Sequence, residues 1–100
     1  MFYQIYTSDD QISVVMTGEI TVEESTFMRE ELIHFIEEGY KTFHVDMRNV
    51  HRIDSSGLGL LVSIHNRVQP KGGEVVITGL TGSLKEWFEV TGLTKLLKIE

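Results

Sequence analysis

The sequence predicts an α/β fold: a single domain with a mixed, mostly parallel sheet and helices packed against it, in the order ββαβαβαβ. Short runs rich in β-branched residues alternate along the chain with segments whose apolar residues recur at helical spacing. Repeated strand–helix–strand crossovers favour parallel pairing, because right-handed crossovers place their helices against the sheet. The 100 residues contain no internal repeat or linker, so we expect one domain over residues 1–100.

The first part of the chain predicts a hairpin followed by a helix. Residues 3–7 and 12–16 are the expected strands, and Gly18 is expected to end the second of them. The segment beginning at Thr21 has the form of a capping box, in which Glu follows three residues after a hydroxyl residue. The helix is predicted to run to about Glu38, because a glycine follows it.

The middle of the chain predicts a short strand, a loop and a second helix. Residues 43–47 form the strand, and residues 48–53 are expected to cross as a loop to the helix start at Asp54. The predicted buried stripe of this helix consists of Leu58, Leu61, Val62, His65 and Val68. Leu60 and Ile64 fall outside that stripe, so we expect them to form an apolar part of a partner interface.

The last part predicts a strand, a helix and a closing strand. Residues 74–78 contain a continuous apolar run, which is typical of an internal parallel strand. A third helix, capped by Thr81 or Ser83, is predicted to bury the residues Leu84, Trp87 and Phe88. Residues 96–99 are predicted to end the domain as a strand.

Charge and composition narrow the possible functions. A formal charge of -6, without a basic cluster, disfavours nucleic-acid binding and favours a protein partner with a basic face. The apolar runs are far shorter than the roughly 18 residues that a membrane span requires. The absence of cysteine is compatible with a reducing compartment, so we expect a cytoplasmic protein. No metal-ligand spacing and no phosphate-binding glycine motif is present, and no metal or cofactor is expected.

The run that begins at Asp54 supplies the candidate functional site. An acidic residue followed by two hydroxyls and then by apolar residues is typical of a helix N-terminus at a surface corner. The outward-pointing amides and the dipole of that helix would tolerate a phosphate on Ser55 or Ser56. These residues therefore suggest a modifiable switch, with an ordinary helix cap as the alternative. Gly59 costs roughly 1 kcal/mol of helix propensity relative to alanine, which either close approach of a partner or close helix–sheet packing would explain.

A serine hydrolase is the alternative from another functional class. Ser55 would be the nucleophile, with His51 or His65 as its base, but the sequence contains no G-x-S-x-G turn. His65 also lies roughly three helical turns from Ser55. The pattern favours a partly buried, hydrogen-bonded His65, and a binding module rather than an enzyme.

The chain resembles the STAS domain family, and within it the anti-sigma factor antagonists. The resemblance rests on DMRNVHRIDSSGLGLL at residues 46–61. Flanking segments add to it: GEI at residues 18–20, GGE at 72–74 and WFEVTGL at 87–93. Together these segments cover nearly the whole chain, so the resemblance implies the STAS fold throughout.

The resemblance also implies a bacterial partner-switching function in transcription regulation. In that family an anti-sigma factor serine kinase phosphorylates the first serine after the aspartate, which is Ser55 here. The unmodified form binds this kinase and so releases the sigma factor, and a metal-dependent serine phosphatase reverses the modification. The positions that match the family's partner-binding surface are Glu19, Thr21, Asp54, Ser56 and Gly57.

Two departures from the family pattern are visible. Many members carry aspartate at the position of Thr21, and threonine keeps the capping role but removes a charge that would pair with a basic kinase residue. Many members also have a final helix after the last strand, whereas this sequence stops at Glu100. The alternative role within the family is a regulatory subunit of a transporter or secretion system that uses the same serine turn.

Overall fold

The computed structural model describes residues 2–100, so the first residue of the predicted domain lies outside the described residues. The strands are β1 (Phe2–Ser8), β2 (Gln11–Ile20), β3 (Thr42–Ile53), β4 (Glu74–Thr78) and β5 (Lys98–Ile99). The helices are α1 (Val22–Glu37), α2 (Ser55–Val68), α3 (Gly82–Val90) and α4 (Leu93–Leu96), with a 3₁₀ turn over Gln69–Lys71. Over the described residues the order is therefore ββαβαβααβ.

The strands form a single sheet in the order β1-β2-β3-β4-β5. β1 is antiparallel to β2, and every other neighbouring pair is parallel. Each crossover after β2 steps to the next strand in the same direction, so right-handed crossovers place the helices on one face of the sheet. The buried residues of that face and of the helices form one hydrophobic cluster. The predicted fold class and the mostly parallel sheet are confirmed.

β2 is longer than the sequence predicts, because Gly18 does not end it. Gly18 has a φ of 91° and lies at a register shift between β2 and β3, so the strand bends there and continues to Ile20. The hairpin and α1 follow the prediction. Glu24 accepts hydrogen bonds from the backbone N–H and the hydroxyl of Thr21, both at 3.2 Å, and α1 ends before Gly39.

β3 is a strand of 12 residues, so the predicted loop over residues 48–53 is wrong. These residues pair with the extended β2 as far as Ile53, which supplies hydrogen-bond partners along one edge of the strand. β4 pairs with β3 only as far as Asp46, which lies opposite Thr78. Val50 and Ile53 are buried.

The buried face of α2 overlaps the predicted one only in part, because Leu61 and Val68 are buried as predicted and the rest of the stripe differs. Its buried residues are Gly57, Leu60, Leu61, Ile64 and Val68. Leu60 and Ile64, which we expected at a partner interface, are each 1% exposed, whereas Leu58, Val62 and His65 are only half-buried. Both sets recur at helical spacing, and α2 packs against α1 as well as the sheet, so periodicity alone did not identify which residues beside Leu61 and Val68 are buried.

The C-terminal region contains a helix that the sequence did not predict. α4 begins after Gly92, which has a φ of 79°, and it occupies the start of the predicted strand over residues 96–99. Only the last part of that segment pairs with β4, as the two-residue β5. Thr81 is the N-cap residue of α3, but its side chain makes no capping hydrogen bond. Within α3, Leu84 and Phe88 are buried as predicted, whereas Trp87 is half-buried.

The substitution Ile64→Ala tests the observed face of α2. We expect it to lower the free energy of unfolding by about 2–4 kcal/mol, because it removes buried methyl groups and leaves a cavity. Val62→Ala, on the half-buried flank of the same helix, is the matched control and should cost less than half as much. Urea denaturation measures both variants, and equal losses would contradict the observed orientation of α2.

Candidate functional site

The site lies at the carboxyl ends of β2 and β3, where two helices begin side by side. The parallel register places Ile20 opposite Ile53, and the next residues, Thr21 and Asp54, are the N-caps of α1 and α2. The backbone N–H of Asp54 donates to the carbonyl of Ile20 at 3.4 Å. The structure therefore brings the turn with Glu19 and Thr21 beside the serines, although these segments are far apart in sequence.

Asp54 fixes the conformation of the serine corner, the turn formed by residues 54–57. Its Oδ1 accepts hydrogen bonds from the backbone N–H groups of Ser56 at 3.0 Å and Gly57 at 3.2 Å, and from the hydroxyl of Ser56. These bonds satisfy free amides of the first turn of α2. The hydrogen bond from the Ser56 hydroxyl, followed by that from the Gly57 N–H, lowers the pKa of Asp54. The cap predicted from the sequence is present.

The two serines of the corner differ in accessibility. Ser55 is exposed, and its hydroxyl has no hydrogen-bond partner within residues 2–100. Ser56 is half-buried, and its hydroxyl donates a hydrogen bond to the carboxylate of Asp54. An incoming enzyme can approach the hydroxyl of Ser55 directly, whereas that of Ser56 must first leave the carboxylate.

A shallow groove of about 220 Å³ lies between the starts of α1 and α2. It is lined by Val22, Ser25, Thr26, Arg29, Ser56 and Gly59. Val22 is 60% exposed, so the groove has an apolar wall to which the buried Leu60 and Ile64 do not contribute. Sequence reasoning missed Val22 and Arg29. Val22 and Arg29 are seven residues apart, which places them on the same face of α1. This spacing was visible in the sequence, but it could not show that the face lies beside α2.

The two glycines of α2 have different structural roles. A Cβ on Gly57 would lie 2.5 Å from Cγ1 of Ile53 and 2.9 Å from Cγ2 of Ile20, so Gly57 permits close packing of α2. Gly57 is buried and is therefore a packing residue rather than the partner contact we expected. Gly59 is exposed, with no atom within 4 Å of a Cβ position, so close helix–sheet packing does not explain it.

Alanine substitutions at these two glycines should have opposite effects on stability. Gly57→Ala should lower the free energy of unfolding by about 1–3 kcal/mol, because the added methyl group overpacks the contact with Ile53. Gly59→Ala should raise it by about 1 kcal/mol, because alanine is the better helix former and the site has room. Denaturant titration checks both, and a loss of stability in both variants would contradict the assignment.

No histidine in the described part of the chain forms a hydrogen bond with the Ser55 hydroxyl. His51 is exposed on β3, and the half-buried His65 makes no side-chain hydrogen bond in this range, contrary to our expectation. Among residues 2–100, no group of three or more His, Asp or Glu side chains is placed to hold a metal ion. No helix in the same part of the chain combines the length and apolar character needed to cross a bilayer. The serine corner presents an accessible hydroxyl on Ser55.

The lowered pKa of Asp54 predicts how the cap depends on pH. Because the folded pKa lies below the unfolded one, the ionised cap stabilises the fold above the unfolded pKa, and this contribution disappears as the pH falls through the folded pKa. We expect the Tm advantage of the wild type over Asp54→Asn to shrink as the pH falls from about 6 to about 2. Asp10→Asn, at the opposite end of the sheet, is the matched control. Thermal melts measure the gap, and a gap independent of pH would contradict this role.

Comparisons with known proteins match the same fold. Residues 3–100 match the STAS domain family. The anti-sigma-B factor antagonist of Bacillus subtilis (strain 168) is 30% identical over 92 residues, which cover 92% of this chain and 84% of that protein. The anti-sigma factor antagonist SpoIIAA in its unphosphorylated form superposes with a TM-score of 0.84 at 15% identity, over 99% of this chain and 87% of that chain. The phosphorylated form of the Bacillus cell fate determinant SpoIIAA gives a TM-score of 0.82 at 17% identity, over 99% and 91% of the two chains. The chain belongs to the STAS domain family.

Proposed function

We propose that this protein is an anti-sigma factor antagonist, which binds an anti-sigma factor serine kinase in its unphosphorylated form and thereby releases a sigma factor. The Bacillus subtilis relative carries the name anti-sigma-B factor antagonist, which supports this assignment. The observation that carries it is the exposed, unpartnered hydroxyl of Ser55 in the first turn of α2. The kinase phosphorylates Ser55, a metal-dependent serine phosphatase restores the hydroxyl, and both act in the cytoplasm.

The partner surface extends from the serine corner to the neighbouring turn and groove. Glu19, Thr21, Asp54 and Ser56 lie at the carboxyl ends of the two paired strands, and all but the half-buried Ser56 are exposed. The groove behind them, with Val22, gives the surface an apolar component. Since Gly59 keeps this groove open, a side chain or backbone segment of the kinase approaches α2 closely there.

Phosphorylation acts on binding rather than on folding. A phosphate on Ser55 adds about -1.5 to -2 charges beside Asp54, and the free amides and dipole of α2 offset much of the repulsion in the free protein. In the complex, the same group is desolvated against a surface that fits a hydroxyl. An uncompensated buried charge costs several kcal/mol, which corresponds to about a hundredfold or greater loss of affinity.

Variants of the two serines test the switch. A pull-down from the native lysate with unmodified protein identifies the kinase, and mass spectrometry after incubation with that kinase and ATP locates the phosphate. We expect Ser55→Ala to block phosphorylation and retain binding, and Ser55→Asp to weaken binding by about tenfold or more. Ser56→Ala, the matched control, should still accept phosphate. Phosphate found only on Ser56, or full binding by Ser55→Asp, would contradict the proposal.

A further inference from the structure

The second half of β3 has one edge that no strand in the described part of the chain covers. β2 pairs with the other edge, but β4 leaves β3 after Asp46 and Thr78. Gly79, with a φ of 80°, then turns the chain away from the edge of β3. It lies so close to Arg48 that a Cβ on Gly79 would be 2.7 Å from the backbone nitrogen of Arg48. Residues 49–53, the free β3 edge, therefore present backbone N–H and C=O groups that lack a strand partner.

A groove of about 340 Å³ runs between this edge and α3. It is lined by His51, Arg52, Ile53, Ser83, Leu84 and Trp87. Successive residues of a strand point to opposite faces, so a groove lined by three consecutive residues of β3 follows the strand edge and not one face. A free strand edge beside a helix is an arrangement in which extended peptides bind by adding a strand. We refer to it as the β3–α3 groove.

The charge of the β3–α3 groove differs from that of the rest of the protein. The chain has a formal charge of -6, yet Arg48, His51 and Arg52 follow one another closely along β3. Arg48 is paired with Asp46 at 3.6 Å, whereas Arg52 forms no ion pair within residues 2–100, even with Glu19 opposite it in the register. The groove therefore combines an apolar wall with a guanidinium that forms no ion pair in this range, an arrangement that fits carboxylates next to an apolar side chain.

We infer that the β3–α3 groove is a docking site for an extended acidic segment of a partner protein. The segment adds as a strand to the free β3 edge, which offers roughly 16 Å of backbone at about 3.3 Å per residue. One aliphatic or aromatic side chain packs against Leu84 and Trp87, and neighbouring carboxylates lie beside Arg52. The site does not include Ser55 and so stands independently of the proposed function. A segment bound there would lie next to the serine corner.

The test titrates the ¹⁵N-labelled protein with a heptapeptide that alternates glutamate with valine and leucine. We expect amide shift changes concentrated in the free β3 edge and in α3. Arg52→Glu should weaken binding by about tenfold or more, and Ser83→Glu, an exposed position on α3, should weaken it as well. Lys71→Glu makes the same charge change at the opposite end of the sheet and should bind normally. The peptide with N-methylated backbone amides should lose binding, because it cannot pair with a strand edge.

Results of three kinds would overturn the inference. The first is the absence of shift changes at these residues with excess peptide. The second is equal binding by a peptide in which lysine replaces glutamate, or undiminished binding by both Arg52→Glu and Ser83→Glu. The third is a set of shift changes at the same residues that depends on protein concentration without peptide, because this would place a second copy of the chain in the groove.

Discussion

The hydrogen bonds that the carboxylate of Asp54 accepts are the interaction on which the serine corner depends. This carboxylate binds two backbone N–H groups of the first turn of α2 and the hydroxyl of Ser56. One short side chain thereby starts the helix and holds one serine, while leaving Ser55 exposed. The lowered pKa of Asp54 follows from the same hydrogen bonds. The local geometry of the proposed switch is therefore built into the cap and is present before any partner binds.

The length of β2 and β3 positions this cap within the fold. Because both strands continue past the end of β4, the two helix starts at Thr21 and Asp54 project together at one end of the sheet. The bend at Gly18 lets β2 follow β3 to this point. The same extension leaves one edge of β3 without a neighbouring strand. The serine corner and the β3–α3 groove are thus two consequences of one mismatch in strand length.

Features set by neighbouring residues were predictable from the sequence, and features set by tertiary pairing were not. The caps at Thr21 and Asp54 use atoms within three residues, so their side chains identify them. Residues 48–53 are largely polar, and only pairing with β2 makes them a strand. The apolar residues of α2 recur at helical spacing on two faces of the helix, and packing against α1 determines which of these residues are buried. Likewise, only the structure separates the packing glycine Gly57 from the open Gly59.

The central claim is that phosphate on Ser55 changes the surface of a preformed fold. The most direct measurement compares the ¹H–¹⁵N NMR spectra of the unmodified protein and of the protein stoichiometrically phosphorylated on Ser55. We expect the large shift changes to be confined to the serine corner, the adjoining turn before α1 and the first turns of α2, with the sheet unchanged. Changes that spread through β2, β3 and β4, or a loss of spectral dispersion, would show that the modification refolds the domain and would contradict the claim.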